Sequence, residues 1–159
     1  MSRIALVTGR TRGIGAAISL ALKNAGYNVA ANYATRHDAA QAFTKEHGIP
    51  AFSWDIADFE ACWNGVKKVQ EALGGPVEIL VNNAGITKDG AMHKMNVANW
   101  QAVIETNLNS CFYMSRAVIE SMREKKFGRI VNISSVNGQP GQFGQTNYSA
   151  AKAGIYGLT

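Results

Sequence analysis

Short apolar runs alternate with amphipathic stretches along the whole chain. Ile4-Ala5-Leu6-Val7 is continuously apolar, the pattern of a strand covered on both faces. Past a glycine-rich turn, Ile14, Ala17, Ile18, Ala21, Leu22 and Ala25 recur at helical spacing, which predicts a helix that Gly26 ends. Val29-Ala30-Ala31 reads as a second strand and residues 36–47 as a second helix. Gly48-Ile49-Pro50 breaks the chain before a third strand at 51–54. Asp58 stands where it caps a helix reaching Leu73, and Gly74-Gly75-Pro76 closes that helix. Glu78-Ile79-Leu80-Val81 predicts a fourth strand, Asn96 to about Lys125 one long helix, and Arg129-Ile130-Val131-Asn132-Ile133 a fifth strand. A loop rich in Gly and Gln then enters a last helix. This alternation predicts an α/β fold, a doubly wound parallel sheet with helices on both faces. No linker or low-complexity tract interrupts it, so residues 1–159 read as a single domain.

Composition narrows the class without changing that picture. Apolar residues make up 47% and charged residues 17%, as in ordinary folded globular chains. No apolar run approaches the roughly 20 residues that span a bilayer, and the start is too short for a secretory signal. A cytoplasmic protein that does not enter a membrane is expected. Cys62 and Cys111 lie far apart and outside any Cys/His cluster, so no metal site is expected and both read as packed, reduced thiols. The net charge of +5 raises the question of nucleic acid. The densest basic run, Arg123 to Arg129, ends a predicted helix, where cations complement the dipole, and it carries no interleaved aromatic platform. Nucleic acid is therefore not expected, and the charge suits a phosphate-rich small molecule. His37, His47 and His93 have neither metal nor triad spacing. Trp54, Trp63 and Trp100 read as core or interface packing.

Four motifs carry chemistry. Thr8-Gly9-Arg10-Thr11-Arg12-Gly13-Ile14-Gly15 sits between the first strand and the first helix, where backbone N–H groups and the helix's positive end can receive a pyrophosphate. Asn82-Asn83-Ala84-Gly85 follows the fourth strand, and Ser134-Ser135 follows the fifth. Tyr148 and Lys152 stand four apart, on one helix face. A cation held beside a phenol favours its phenolate form, the requirement for a phenol to move protons near neutrality. In this order the four pieces resemble the short-chain dehydrogenase/reductase family, and the resemblance covers all 159 residues.

That resemblance implies a Rossmann-type fold and a nicotinamide cofactor held by Gly9, Arg12, Gly13, Ile14, Gly15, Asp55, Ile56, Asn83, Ala84, Gly85, Tyr148 and Lys152. The segment from Val29 to Arg36 lacks the carboxylate that accepts from a ribose 2′-hydroxyl, whereas Arg12 and Arg36 suit a 2′-phosphate; NADP(H) is the expected cofactor. Ser135 precedes Tyr148 by the family's spacing and is expected to orient a carbonyl, with Ser134 the neighbour open to confusion. Tyr148 is expected to supply the proton and Lys152 to assist it. Asn107 matches the fourth catalytic position; the alternative is a polar residue that caps or kinks the long helix.

Two segments, Gly85 to Met95 and Ser135 to Tyr148, resemble the acetoacetyl-CoA reductase subgroup of that family. An acyl-CoA thioester is the implied substrate, surrounded by Asp89, Lys94, Ser135, Gln142, Phe143 and Gln145. Pro140 departs from the lysine expected there. The rival substrate is a thioester on acyl carrier protein, and the rival from another class is a non-catalytic dinucleotide-binding module. Members of the family continue through further strand–helix units, so the chain is expected to be the N-terminal part of a longer reductase. A homotetramer is expected for the full-length protein, packed through helices at 96–125 and from 147 on. A lone piece is expected to be poorly soluble.

Overall fold

The computed structural model describes residues 2–9 and 13–159. Five parallel strands form one sheet in the order β3-β2-β1-β4-β5. They are β1 (Ile4–Val7), β2 (Asn28–Tyr33), β3 (Ala51–Ser53), β4 (Val77–Asn82) and β5 (Arg129–Asn132). The helices are α1 (Gly13–Asn24), α2 (His37–His47), α3 (Phe59–Leu73), α4 (Val97–Ile104), α5 (Ser110–Glu124) and α6 (Thr146–Leu158). These are the predicted elements, with ends displaced by a residue or two.

The period of two along each strand divides the core into two layers. Ile4, Leu6, Ala30 and Leu80 turn one way and pack with Val66, Val69, Met114 and Val118 of α3 and α5. Ala5, Val7, Val29, Ala31, Ile79 and Val81 turn the other way, against Phe43 of α2 and the apolar side of α1. Both faces of β1 are thus covered, which is why its sequence reads as an unbroken apolar run.

Local chemistry sets the helix ends. The Asp58 carboxylate accepts from the Ala61 N–H at 2.9 Å, and Gly74 closes α3 in the left-handed conformation at φ +74°. Inside α3, Gly65 is required by contact: a Cβ there would lie 2.4 Å from the Trp54 ring.

The predicted long helix is continuous in path but not uniform. A π turn at Glu105–Asn109 separates α4 from α5, and the Ser110 N–H bonds to the Glu105 carbonyl, five residues back. Asn107 lies inside this turn and is fully buried.

Candidate active site

The strand order reverses between β1 and β4. In a doubly wound sheet the crevice opens there, beyond the carboxyl ends of the strands. Thr8, at the end of β1, joins the two strands' exits. Its hydroxyl accepts from the Asn83 N–H at 3.1 Å and the Ala84 N–H at 3.3 Å, and its carbonyl accepts from Asn83 Nδ2 at 3.0 Å. Gly9 follows at φ +101°, and a Cβ on it would fall 2.7 Å from Asn83 Nδ2 and 2.9 Å from Ala84 Cα. Only glycine fits so tight a passage.

Two adjoining cavities line this crevice. The larger, about 560 Å³, runs from Gly9 and Ile14 past Asn32, Tyr33 and Arg36 to Asp55 and Ile56, with Ala84 on its opposite wall. The smaller, about 360 Å³, is walled by Ile133, Ser134, Tyr148 and Lys152. Ile14, Asn83, Gly85 and Ile86 border both, so they form one groove with two ends. Arg36 and Asp55 are the charged residues of the larger end among the described residues. Among the described residues that line this end, those following β2 are Ala34, Thr35, Arg36 and Ala39. Gly13 opens α1 at φ +59°, and Gly15 is buried in its first turn, where its carbonyl accepts from the Ser19 hydroxyl. Arg12 lies outside the described residues.

The chemical end is built on α6. Lys152 is buried, and its ammonium donates to the Ile133 carbonyl at 2.6 Å, at the end of β5. It lies 5.8 Å from the centroid of the Tyr148 ring. Burial pulls the Lys152 pKa below the ordinary lysine value, and the neighbouring Cys111 thiol works weakly the other way. Burial pushes the Cys111 thiol up as well, and that of Cys62 up to about 12. Both thiols are free and buried, as expected from their surroundings in the sequence.

Ser134 and Ser135 are used differently. Ser134 borders the small cavity, but its hydroxyl donates to the Lys152 carbonyl at 2.7 Å. Ser135 does not border that cavity; its oxygen accepts from the Asn137 N–H at 3.3 Å, which leaves its hydroxyl proton uncommitted. Asn107 faces Gly85-Ile86: its Oδ1 accepts from the Ile86 N–H at 2.8 Å and its Nδ2 donates to the Ile86 carbonyl at 2.9 Å. Both side-chain ends are therefore occupied by one backbone unit, and Asn107 works as a strut between the long helix and the groove.

The loops after β4 and β5 carry the residues expected around a substrate. Asp89 and Gln145 are hydrogen-bonded to each other at 3.0 Å. Lys94 sits in a short 3-10 turn at Met92–Lys94 and is exposed, as is Gln142. Phe143 is 89% exposed, so no acyl pocket is closed around it by the described residues.

Several residues of the site carried no recognisable signal in sequence. Asn32, Tyr33, Ala34, Thr35, Ile86 and Thr106 border the larger cavity. Asn147 is fully buried; its Nδ2 donates to the carbonyls of Lys88 and Asn99, and its Oδ1 accepts from the Tyr148 N–H. Its place next to Tyr148 was the one available clue.

A glycine-floored groove at the switch point, with a tyrosine and lysine from one helix at its inner end, defines a dinucleotide-dependent class. Residues 3–159 match the profile of the short chain dehydrogenase family, and the chain belongs to that family. Among curated proteins it is 60% identical over 159 residues to the acetoacetyl-CoA reductase of Shinella zoogloeoides, covering all of this chain and 66% of that protein. It is 59% identical, with the same coverage, to the acetoacetyl-CoA reductase of Rhizobium meliloti (strain 1021). A 3-oxoacyl-[acyl-carrier-protein] reductase of Staphylococcus epidermidis is 42% identical over 164 residues, covering all of this chain and 67% of that protein. The chain thus spans just under two thirds of the first two relatives' length.

Proposed function

We propose that the protein carrying this chain reduces the 3-oxo group of acetoacetyl-CoA to (R)-3-hydroxybutanoyl-CoA with NADPH, as a step toward polyhydroxybutyrate. The observation that supports this best is the position of Tyr148 and Lys152 on the wall of the cavity that continues the dinucleotide groove. The identity of about 60% to two acetoacetyl-CoA reductases favours that substrate over a carrier-protein thioester.

The groove suits the cofactor on its own terms. The passage at Gly9 admits no side chain, α1 opens with two glycines, and Arg36 rather than a carboxylate follows β2. Arg36, with Arg12, would hold the 2′-phosphate; Asp55 and Ile56 would flank the adenine, and Asn83, Ala84 and Gly85 the middle of the dinucleotide. Bound NADPH supplies the hydride. The Ser135 hydroxyl, whose proton has no acceptor among the described residues, orients the substrate carbonyl. Tyr148 donates the proton to the oxygen of that carbonyl as it becomes an alcohol. Lys152 places its charge behind the phenol, and Asn107 fixes Gly85-Ile86 at the groove and supports a water path to Lys152. Asp89, Lys94, Gln142, Phe143 and Gln145 stand around the thioester side. The full-length protein is a cytoplasmic homotetramer in this reading.

The test is NADPH oxidation with acetoacetyl-CoA, run on the 159-residue chain and on the full-length protein. Turnover is expected from the full-length protein, faster than with the acyl-carrier-protein form of the substrate. A preference for the carrier-protein form assigns the rival substrate, and NADPH binding without turnover on either assigns a binding module.

A further inference from the structure

Gln145 joins three segments: the loop after β4, the turn after β5 and the start of α6. It precedes the first residue of α6, and its side-chain amide is used at both ends. Nε2 donates to Asp89 Oδ2 at 3.0 Å, in the loop after β4. Oε1 accepts from Asn137 Nδ2 at 2.9 Å, in the Val136–Gly138 turn after β5. The polarity of this chain of bonds is fixed by chemistry. An ionised carboxylate only accepts, so the nitrogen of Gln145 must face Asp89, and its oxygen is then left for the Asn137 amide. Reversing the amide would oppose acceptor to acceptor at one end and donor to donor at the other.

The contacts around it run in the same direction. The Gly90 N–H donates to the Gly144 carbonyl at 2.8 Å, a second tie between the same two loops. Gly138 lies directly on the helix backbone, since a Cβ there would come 2.8 Å from the Lys152 carbonyl carbon. The Gln145 carbonyl accepts from the Ser149 N–H at 2.8 Å, which starts the helix turn that contains Tyr148. Asn147 then secures Lys88 of the first loop and the Tyr148 N–H together. Three backbone segments meet at Gln145, one of them running directly into Tyr148 and another seated on Lys152.

We propose that Gln145 is a positioning residue: Asp89, Gln145 and Asn137 form a polar latch that holds the loops after β4 and β5 together and thereby fixes the start of α6 and Tyr148. This role of Gln145 comes in addition to its place on the thioester side. The catalytic readout rests on the reductase reading, and the structural readout does not.

The experiment compares Gln145→Glu with the double variant Asp89→Asn/Gln145→Glu in the full-length protein. The single substitution keeps an acceptor for Asn137 but sets a second carboxylate against Asp89. In the double variant the amide introduced at position 89 donates to the carboxylate introduced at position 145, which inverts that one bond while Asn137 still donates to position 145. Gln145→Glu is expected to lower kcat about tenfold, the order of one like-charge contact near the surface, with a smaller change in the KM for thioester. Hydrogen exchange should quicken at residues 86–92 and 136–145. The double variant should restore slow exchange and recover most of kcat. The latch is overturned if Gln145→Glu leaves exchange in both loops unchanged, if it raises only the KM for thioester, or if the double variant restores neither property. Should the unaltered protein turn over neither thioester, the reductase reading fails while the exchange comparison still decides the latch.

Discussion

Lys152 carries a cost that its neighbours do not remove. Among the described residues its buried ammonium has one carbonyl partner and no carboxylate, and burial lowers its pKa. The unfolded chain therefore binds more protons than the folded one between the lowered folded pKa and the ordinary lysine value of about 10.4, so Lys152 makes stability rise with pH across that window. Below it, the full cost of a buried charge is present. Lys152→Met is expected to abolish turnover while the thermal midpoint near pH 7 holds or rises, with the difference from the unaltered protein narrowing as pH climbs. Thermal melts at several pH values check this, and a clear loss of stability at pH 7 would contradict it. Tyr148→Phe removes only the hydroxyl. About a 10²–10⁴-fold loss of turnover is expected, with NADPH affinity retained in a fluorescence titration; near-normal turnover would refute the acid role. Ser134 and Ser135 illustrate what one dimension leaves open: adjacent serines look alike until one hydroxyl is found bonded to the Lys152 carbonyl.

Among the elements, legibility follows burial symmetry. β1, β2 and β4 are covered on both faces and read as strands because nearly every position is apolar or small. The cap at Asp58 and the stop at Gly74 are readable because each is a local bond or dihedral. The π turn at Glu105–Asn109 is not readable, because a helix-spaced pattern is indifferent to one widened turn. The Asn107–Ile86 contact that accompanies it is 21 residues long in sequence. Of the two roles open to Asn107 in sequence, the structure shows the one that shapes the helix: the residue lies in the π turn and bonds to the Ile86 backbone. The packing of α3 on Trp54 is equally hidden. Gly65→Ala drives a methyl into the indole, and a loss of about 1–3 kcal/mol is expected by denaturant unfolding, without change in the active-site groups. An unchanged midpoint would mean that Trp54 moves aside freely.

At the scale of the molecule, the surface of α3 and α5 carries exposed aromatic rings. Phe112 is 52% exposed, Trp63 and Phe59 are exposed as well, and Phe112, Tyr113 and Phe59 form an edge-to-face aromatic series. Val103 and Met114, on the same long helix, are fully buried. One helix thus faces its own fold and presents aromatic rings outward, which supports the proposed homotetramer. Phe112→Asp is expected to shift the full-length protein to smaller species in analytical ultracentrifugation while its far-ultraviolet spectrum is kept. An unchanged oligomer would move the interface elsewhere.

The sequence by itself determined the α/β order, the two-sided sheet, the glycine passage and the Tyr148–Lys152 face, because each depends on spacing within one element or one turn. Among the described residues, tertiary structure decided the strand order, the crevice between β1 and β4, the commitment of Ser134 and Asn107, and the meeting of Asp89, Gln145 and Asn137. Those contacts join residues distant along the chain, and a hydrogen bond between two such residues leaves no period in the sequence. The packing of hydrophobic layers brings their backbones together, and only then do their polar groups find partners.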